Sequence, residues 1–231
     1  MTRLTCLCVV YALLAACQPT EDSVSVDDAD LVVHCGAMID GLSDVATGER
    51  LLIVRDERIS EIRDGADTTL FDAAVLDLRE FTCLPGLIDM HVHLDGLPSD
   101  ADDYTIYLRR TPQDTRVLAE QLAGTVLNAG FTTVRHVGAY HAWVDRDVRE
   151  RIEAGEVIGP RIRVGGPYLT IPHGGGDMYI PGIPDSEIPD YYRAGVARGP
   201  DEFRARAEEV VAGGADFIKV IASGAVFGHG S

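Results

Sequence analysis

Between residues 29 and 84 the apolar positions fall in short runs of strand type. Leu31 to Cys35, Leu51 to Arg55, Arg58 to Ile62 and Ala74 to Leu78 are each bounded by glycine and aspartate clusters. The spacing predicts a strand-rich segment, in which His34 is a packed or surface strand residue rather than a ligand. From Pro85 the pattern changes to a recurring unit of helix, glycine and strand. Thr111-Pro112 supplies an N-cap and a proline at the first helical position, Leu118, Leu122 and Val126 share one face, and Gly130 ends the helix before Phe131 to Arg135. Val144, Val148 and Ile152 repeat that spacing up to Gly155, ahead of Arg161 to Val164. Phe203, Ala207, Val210 and Val211 repeat it again up to Gly213-Gly214, ahead of a strand from Ala215 to Ala222. Strands alternating with helices predict an α/β fold with a parallel sheet over residues 85–231.

Composition narrows the class. A hydrophobic content of 46% with 24 glycines fits a packed core. Against 37 acidic residues stand 20 basic ones, a formal charge of -17, which excludes nucleic acid and anionic membrane surfaces as electrostatic partners. Residues 1–17 have a basic start, an apolar middle too short to span a bilayer, and small residues before Cys17, the form of an export signal. Leu14-Ala15-Ala16-Cys17 resembles the lipobox of bacterial lipoproteins, which implies lipidation at Cys17 and a polar tether over residues 18–28. Gln18 after the cysteine implies the outer membrane, facing the periplasm; the alternative is an ordinary cleaved signal with an incidental Cys17. Cys6 and Cys8 would leave with the signal. An oxidising compartment permits Cys35 and Cys83 to pair, but the spacing alone favours two buried small apolar side chains.

The most informative stretch is Pro85-Gly86-Leu87-Ile88-Asp89-Met90-His91-Val92-His93. Alternation on a strand puts His91 and His93 on one face and Met90 and Val92 on the other, so two imidazoles can converge on one metal ion. Lys219 is the only lysine in the chain; every other basic residue is arginine. Arginine serves wherever a positive charge suffices, so position 219 calls for a primary amine, which can lose its proton and capture carbon dioxide as a carbamate. The bland alternative is a lysine snorkelling from a strand end.

The His-x-His strand resembles the first barrel strand of the amidohydrolase superfamily, and Gly214-Ala215-Asp216-Phe217-Ile218-Lys219-Val220 resembles its fourth, in the imidazolonepropionase-like and Xaa-Pro dipeptidase-like branch. The resemblance implies the N-terminal half of a (β/α)8 barrel, about four βα units over residues 85–231, preceded by a β-sandwich segment over 29–84. A whole barrel takes about 250 residues, so the expectation is a chain that ends after strand four. The resemblance implies two divalent ions, zinc in the first instance, held by His91, His93 and a bridging Lys219 carbamate. Two more histidines and an aspartate base are expected beyond Ser231.

Two further histidines are candidate substrate contacts. His136 closes the second barrel strand where similar sequences carry aspartate, and it is equally readable as structural. His173 lies in a long glycine-rich loop after strand three, ahead of its glycines rather than after them. His229 reads as a loop residue. The implied activity is metal-dependent cleavage of an amide or peptide bond in a small molecule or short peptide, a dipeptide, an N-acyl amino acid or a cyclic amide. The alternatives are a mononuclear deaminase of the same superfamily, which Lys219 counts against, and an inactive lipid-anchored binding protein. The full-length form is open to homo-oligomerisation. The 231-residue chain alone is expected to be inactive and to associate through open sheet edges.

Overall fold

The computed structural model describes residues 29–65 and 67–223. The signal segment, Cys17, the tether and His229 lie outside the described residues. The chain divides into two compact units between Pro85 and Gly86.

The first unit is built on a four-stranded sheet of β1 (Leu31–Met38), β2 (Arg50–Arg55), β3 (Arg58–Asp64) and β4 (Ala74–Cys83), in the order β3-β2-β1-β4. β2 pairs antiparallel with both β1 and β3, whereas β4 runs parallel to β1. Val32 faces Ile53 across the ladder, and both belong to a cluster with Ala29, Leu51 and Phe71. The β2–β3 hairpin turns through Asp56 and Glu57, both at positive φ, and the Asp30 carboxylate accepts the Asp56 amide, stabilising the turn. His34 is buried and hydrogen-bonded to Glu49 at 2.7 Å.

Cys35 and Cys83 form a disulfide with a Cα separation of 5.8 Å. This corrects the reading of two unpaired apolar side chains. The register of β1 against β4 slips between Cys35 and Ala37, and the bond spans that irregularity. Spacing in the sequence carries no information on such a register, which is why the pairing was illegible there.

In the second unit β5 (Leu87–Val92), β6 (Phe131–His136) and β7 (Arg161–Val164) form a parallel sheet in that order. Gly86 enters it against β6: a Cβ there would fall 2.1 Å from Thr132 Oγ1, so only glycine fits. After the short α1 (Thr105–Arg109), α2 (Pro112–Asn128) begins as the sequence predicts. Thr111 Oγ1 accepts the Asp114 amide and Asp114 Oδ2 accepts the Thr111 amide, a reciprocal capping box. α3 (Val144–Glu153) and α4 (Gly199–Ala212) follow.

Val92, Val134, Ile162 and Val164 of the sheet pack with Val144, Val148 and Ile152 of α3 and with α2. On α2 the fully buried positions are Thr115, Ala119 and Ala123, flanked by the partly buried Leu122 and Val126. Leu118 lies off that centre. Small side chains allow the helix axis to approach the sheet, so the leucines serve as its flanks. The expected strand from Ala215 to Ala222 is not formed among the described residues: the lysine segment makes one isolated parallel bridge, Val220 to Leu169 in the loop after β7, with the Leu169 amide donating to the Lys219 carbonyl at 2.9 Å.

The long loop after β7 is a compact element with its own core. Met178, Ile180, Ile188 and Tyr192 pack with Tyr107 of α1, and Tyr192 Oη donates to the Tyr107 carbonyl at 2.7 Å. Arg193 grips the buried Asp177 carboxylate through Nε and Nη2 at 2.8 and 2.9 Å.

Candidate active site

His91, on β5, and His93, just beyond its end, stand with ring centroids 5.4 Å apart. Both line a cavity of about 710 Å³ that Lys219 and Asp95 also line. The strand therefore brings its two histidines to the same space as the lysine, from segments about 130 residues apart in the chain.

The surroundings of His93 define its tautomer. Its Nδ1 lies 3.1 Å from the Gly138 carbonyl, which only accepts, so Nδ1 carries the proton and Nε2 keeps its lone pair. Tyr168 Oη, 3.0 Å from the same nitrogen, shares that proton. Desolvation, helped by the neighbouring His136 and His91, holds the His93 pKa below its ordinary value against the pull of Asp95 and the Gly138 carbonyl. A neutral imidazole whose far nitrogen donates to a carbonyl is what a metal ion requires of a histidine ligand. The donor set fits a divalent ion in that respect. Among the described residues no three His, Cys, Asp or Glu side chains converge into a ready cage.

His136 does not line the cavity. It is fully buried, and its Nε2 accepts the Leu94 amide at 2.9 Å. That bond puts the His136 proton on Nδ1, which has no hydrogen-bond partner and lies 3.9 Å from Asp145 Oδ2. Around it the backbone is tied in one piece: Asp95 Oδ2 accepts the Tyr140 amide at 3.0 Å and Asp145 Oδ2 the Gly166 amide at 2.9 Å. His136 thus braces the residue that follows His93, from a buried position outside the lining of this cavity. His136→Leu, which removes the acceptor, is expected to weaken by about tenfold or more the affinity for any divalent ion that His93 holds. His136→Gln, which restores an acceptor near the Nε2 position, should recover most of it. Competition with a chromophoric chelator reads both; equal affinities in the two variants would show that the Leu94 bond is irrelevant to the site.

His173 is likewise absent from the cavity lining. It sits at φ 59°, its side chain 56% exposed, with Nε2 3.2 Å from Asp185 Oδ2 and the ring against Tyr179. It belongs to the charge cluster of the loop, where Arg193 also reaches Asp185 at 2.9 Å. His141 packs on Tyr191 and Tyr192, and desolvation lowers its pKa.

Lys219 is positioned through Asp216. The Asp216 amide donates to the Val164 carbonyl at 2.8 Å, and its carboxylate accepts the Val164 amide at 2.9 Å and pairs with Arg163 and Arg149. The aspartate of the Gly-Ala-Asp stretch therefore closes the end of β7 and starts the lysine segment alongside it.

Several cavity residues escaped the sequence reading. Asp95 continues the alternation of His91 and His93, and that periodicity was the signal available for it. Tyr104, Tyr107, Tyr140 and Tyr168 also line the space. Tyr140 and Tyr168 each come four residues after the last residue of a barrel strand, β6 and β7, the place where barrel enzymes keep their reacting groups.

The parallel strands β5, β6 and β7 with α2 and α3 packed on them are the repeating strand-helix unit of an α/β barrel, with paired histidines at a strand end and a lysine lining the same cavity. The amidohydrolase family profile matches residues 82–231, and the chain belongs to that family. It is 28% identical to the ochratoxinase of Aspergillus niger over 222 residues, covering 87% of this chain and 44% of that protein. Among solved structures, a Xaa-Pro dipeptidase with methionine bound in its active site superposes with a TM-score of 0.70 at 30% identity, over 82% of this chain and 46% of that one. The Aspergillus niger ochratoxinase structure gives 0.69 at 25% identity, over 88% and 49%. The chain spans about half the length of these relatives.

Proposed function

We propose that the chain carries the metal-binding face of an amide hydrolase in which His91, His93 and a carboxylated Lys219 would hold two divalent ions, zinc in the first instance. The observation that carries this reading is the meeting of His91, His93 and Lys219 on one cavity, with His93 Nδ1–H committed to the Gly138 carbonyl. Carboxylation at the Lys219 nitrogen by carbon dioxide forms one C–N bond, breaks one N–H bond and releases that proton, giving an anionic oxygen ligand. When bound, the ions would lower the pKa of water and polarise the scissile carbonyl.

Gly138 and Tyr168 orient His93, His136 braces the strand end, Asp216 places the lysine segment, and the tyrosines exclude water from one side. Small amides and short peptides are the substrate class that the relatives' names support, since a Xaa-Pro dipeptidase stands among them. Export to the cell envelope through Cys17 is part of the same proposal. The Cys35–Cys83 disulfide supports it, because such bonds persist in oxidising compartments.

The test is elemental analysis joined to an amidase assay on the whole protein. About two ions per chain are expected, with hydrolysis lost on chelation and regained on adding zinc. Active protein holding one ion or none would remove the two-ion reading, and hydrolysis indifferent to chelators would remove the metal altogether.

A further inference from the structure

We propose, resting on the amide-hydrolase reading, that the part of the substrate lying against this half of the site is an uncharged aromatic ring. Tyr168, Tyr140, Tyr107 and Tyr104 form a continuous wall of the cavity, with successive ring centroids 5.1, 5.6 and 6.0 Å apart. They come from the loops after β7 and β6 and from α1 with its N-cap, so the wall is a tertiary construction. It is also rigid. Tyr192 packs behind Tyr107 at 6.1 Å, and Met178, Ile180 and Ile188 fill the layer beneath. A ring meeting this surface finds the edge-to-face and offset geometries that aromatic pairs prefer, already ordered.

Charge points the same way. Burial raises the pKa of Tyr104, Tyr107 and Tyr140, so that stretch of the wall is neutral. Two of the four hydroxyls are engaged within the protein: Tyr168 Oη with His93 at 3.0 Å, and Tyr140 Oη donating to the Gly175 carbonyl at 3.3 Å. Leu97, Pro98 and Ala101 extend the apolar surface. Arginine accounts for every basic residue but Lys219, yet no arginine is among the described residues lining the cavity. A carboxylate placed against the tyrosines would be desolvated with no guanidinium among the described lining residues to meet it, and Asp95, the one carboxylate among those residues, is already held by the Tyr140 amide.

The experiment measures kcat/KM of the whole protein for N-acetylglycine, N-benzoylglycine, N-acetylphenylalanine and unblocked glycylglycine. At least one ring-bearing amide is expected to exceed N-acetylglycine by about tenfold or more, and Tyr104→Leu and Tyr140→Leu are expected to collapse that ratio towards unity. The ratio is independent of how much of each variant is folded. Equal rates for ring-bearing and acetyl substrates, a preference for glycylglycine, or a ratio that survives in both variants would overturn the proposal. A second readout needs no turnover: titration followed by ligand-observed NMR should show benzamide binding about tenfold tighter than acetamide, an advantage reduced in Tyr140→Leu. Benzamide binding without hydrolysis of any amide would refute the hydrolase reading while upholding the aromatic wall, whereas hydrolysis with no benzamide preference would refute the wall alone.

Discussion

Arginine in place of Lys219 is expected to lower amide hydrolysis by orders of magnitude and to lower the metal content below that of the parent. The substitution keeps a positive charge and a long stem, but a guanidinium does not lose its proton at any pH that a protein tolerates and so cannot form a carbamate. The backbone at this position should be indifferent to the change. The Lys219 carbonyl accepts the Leu169 amide, and Asp216 anchors the segment through Val164, Arg163 and Arg149. Loss of activity with an unchanged melting temperature therefore separates a chemical role from a structural one. An arginine variant as active as the parent would show that position 219 serves only as a cation.

Removing the Cys35–Cys83 bond is expected to destabilise the first unit by about 4 kcal/mol, the loop-closure entropy that the cross-link takes from the unfolded chain at its sequence separation of 48. The bond joins β1 to β4, which are parallel neighbours reached by way of β2 and β3, so it closes a non-local contact that the unfolded chain would otherwise have to find. Denaturant melts of the Cys35→Ala/Cys83→Ala variant against the oxidised parent measure the difference. The parent in reductant should follow the variant. Superimposable melts for all three would show that the bond is absent or contributes nothing, and with it would go the structural support for an oxidising compartment.

What the chain order alone determined is the local part of the architecture. Thr111-Pro112 with Asp114 starts α2 because a hydroxyl, a fixed φ and a carboxylate satisfy the first amides without help from any other element. Val144, Val148 and Ile152 predict α3, and Arg161 to Val164 marks β7, because residues a few positions apart decide a period. His91 and His93 share a face for the same reason, since alternation is a property of one strand. Tertiary structure alone decided the rest. Whether His136 looks into the cavity or beneath it depends on the packing of α3 and on the Leu94 amide, and whether His173 reaches substrate depends on Asp185 and Tyr179. The tyrosine wall draws on segments from Tyr104 to Tyr168, and the cysteine pair on a register between β1 and β4. A contact between distant residues depends on the path of all the chain between them, and no local period encodes that path.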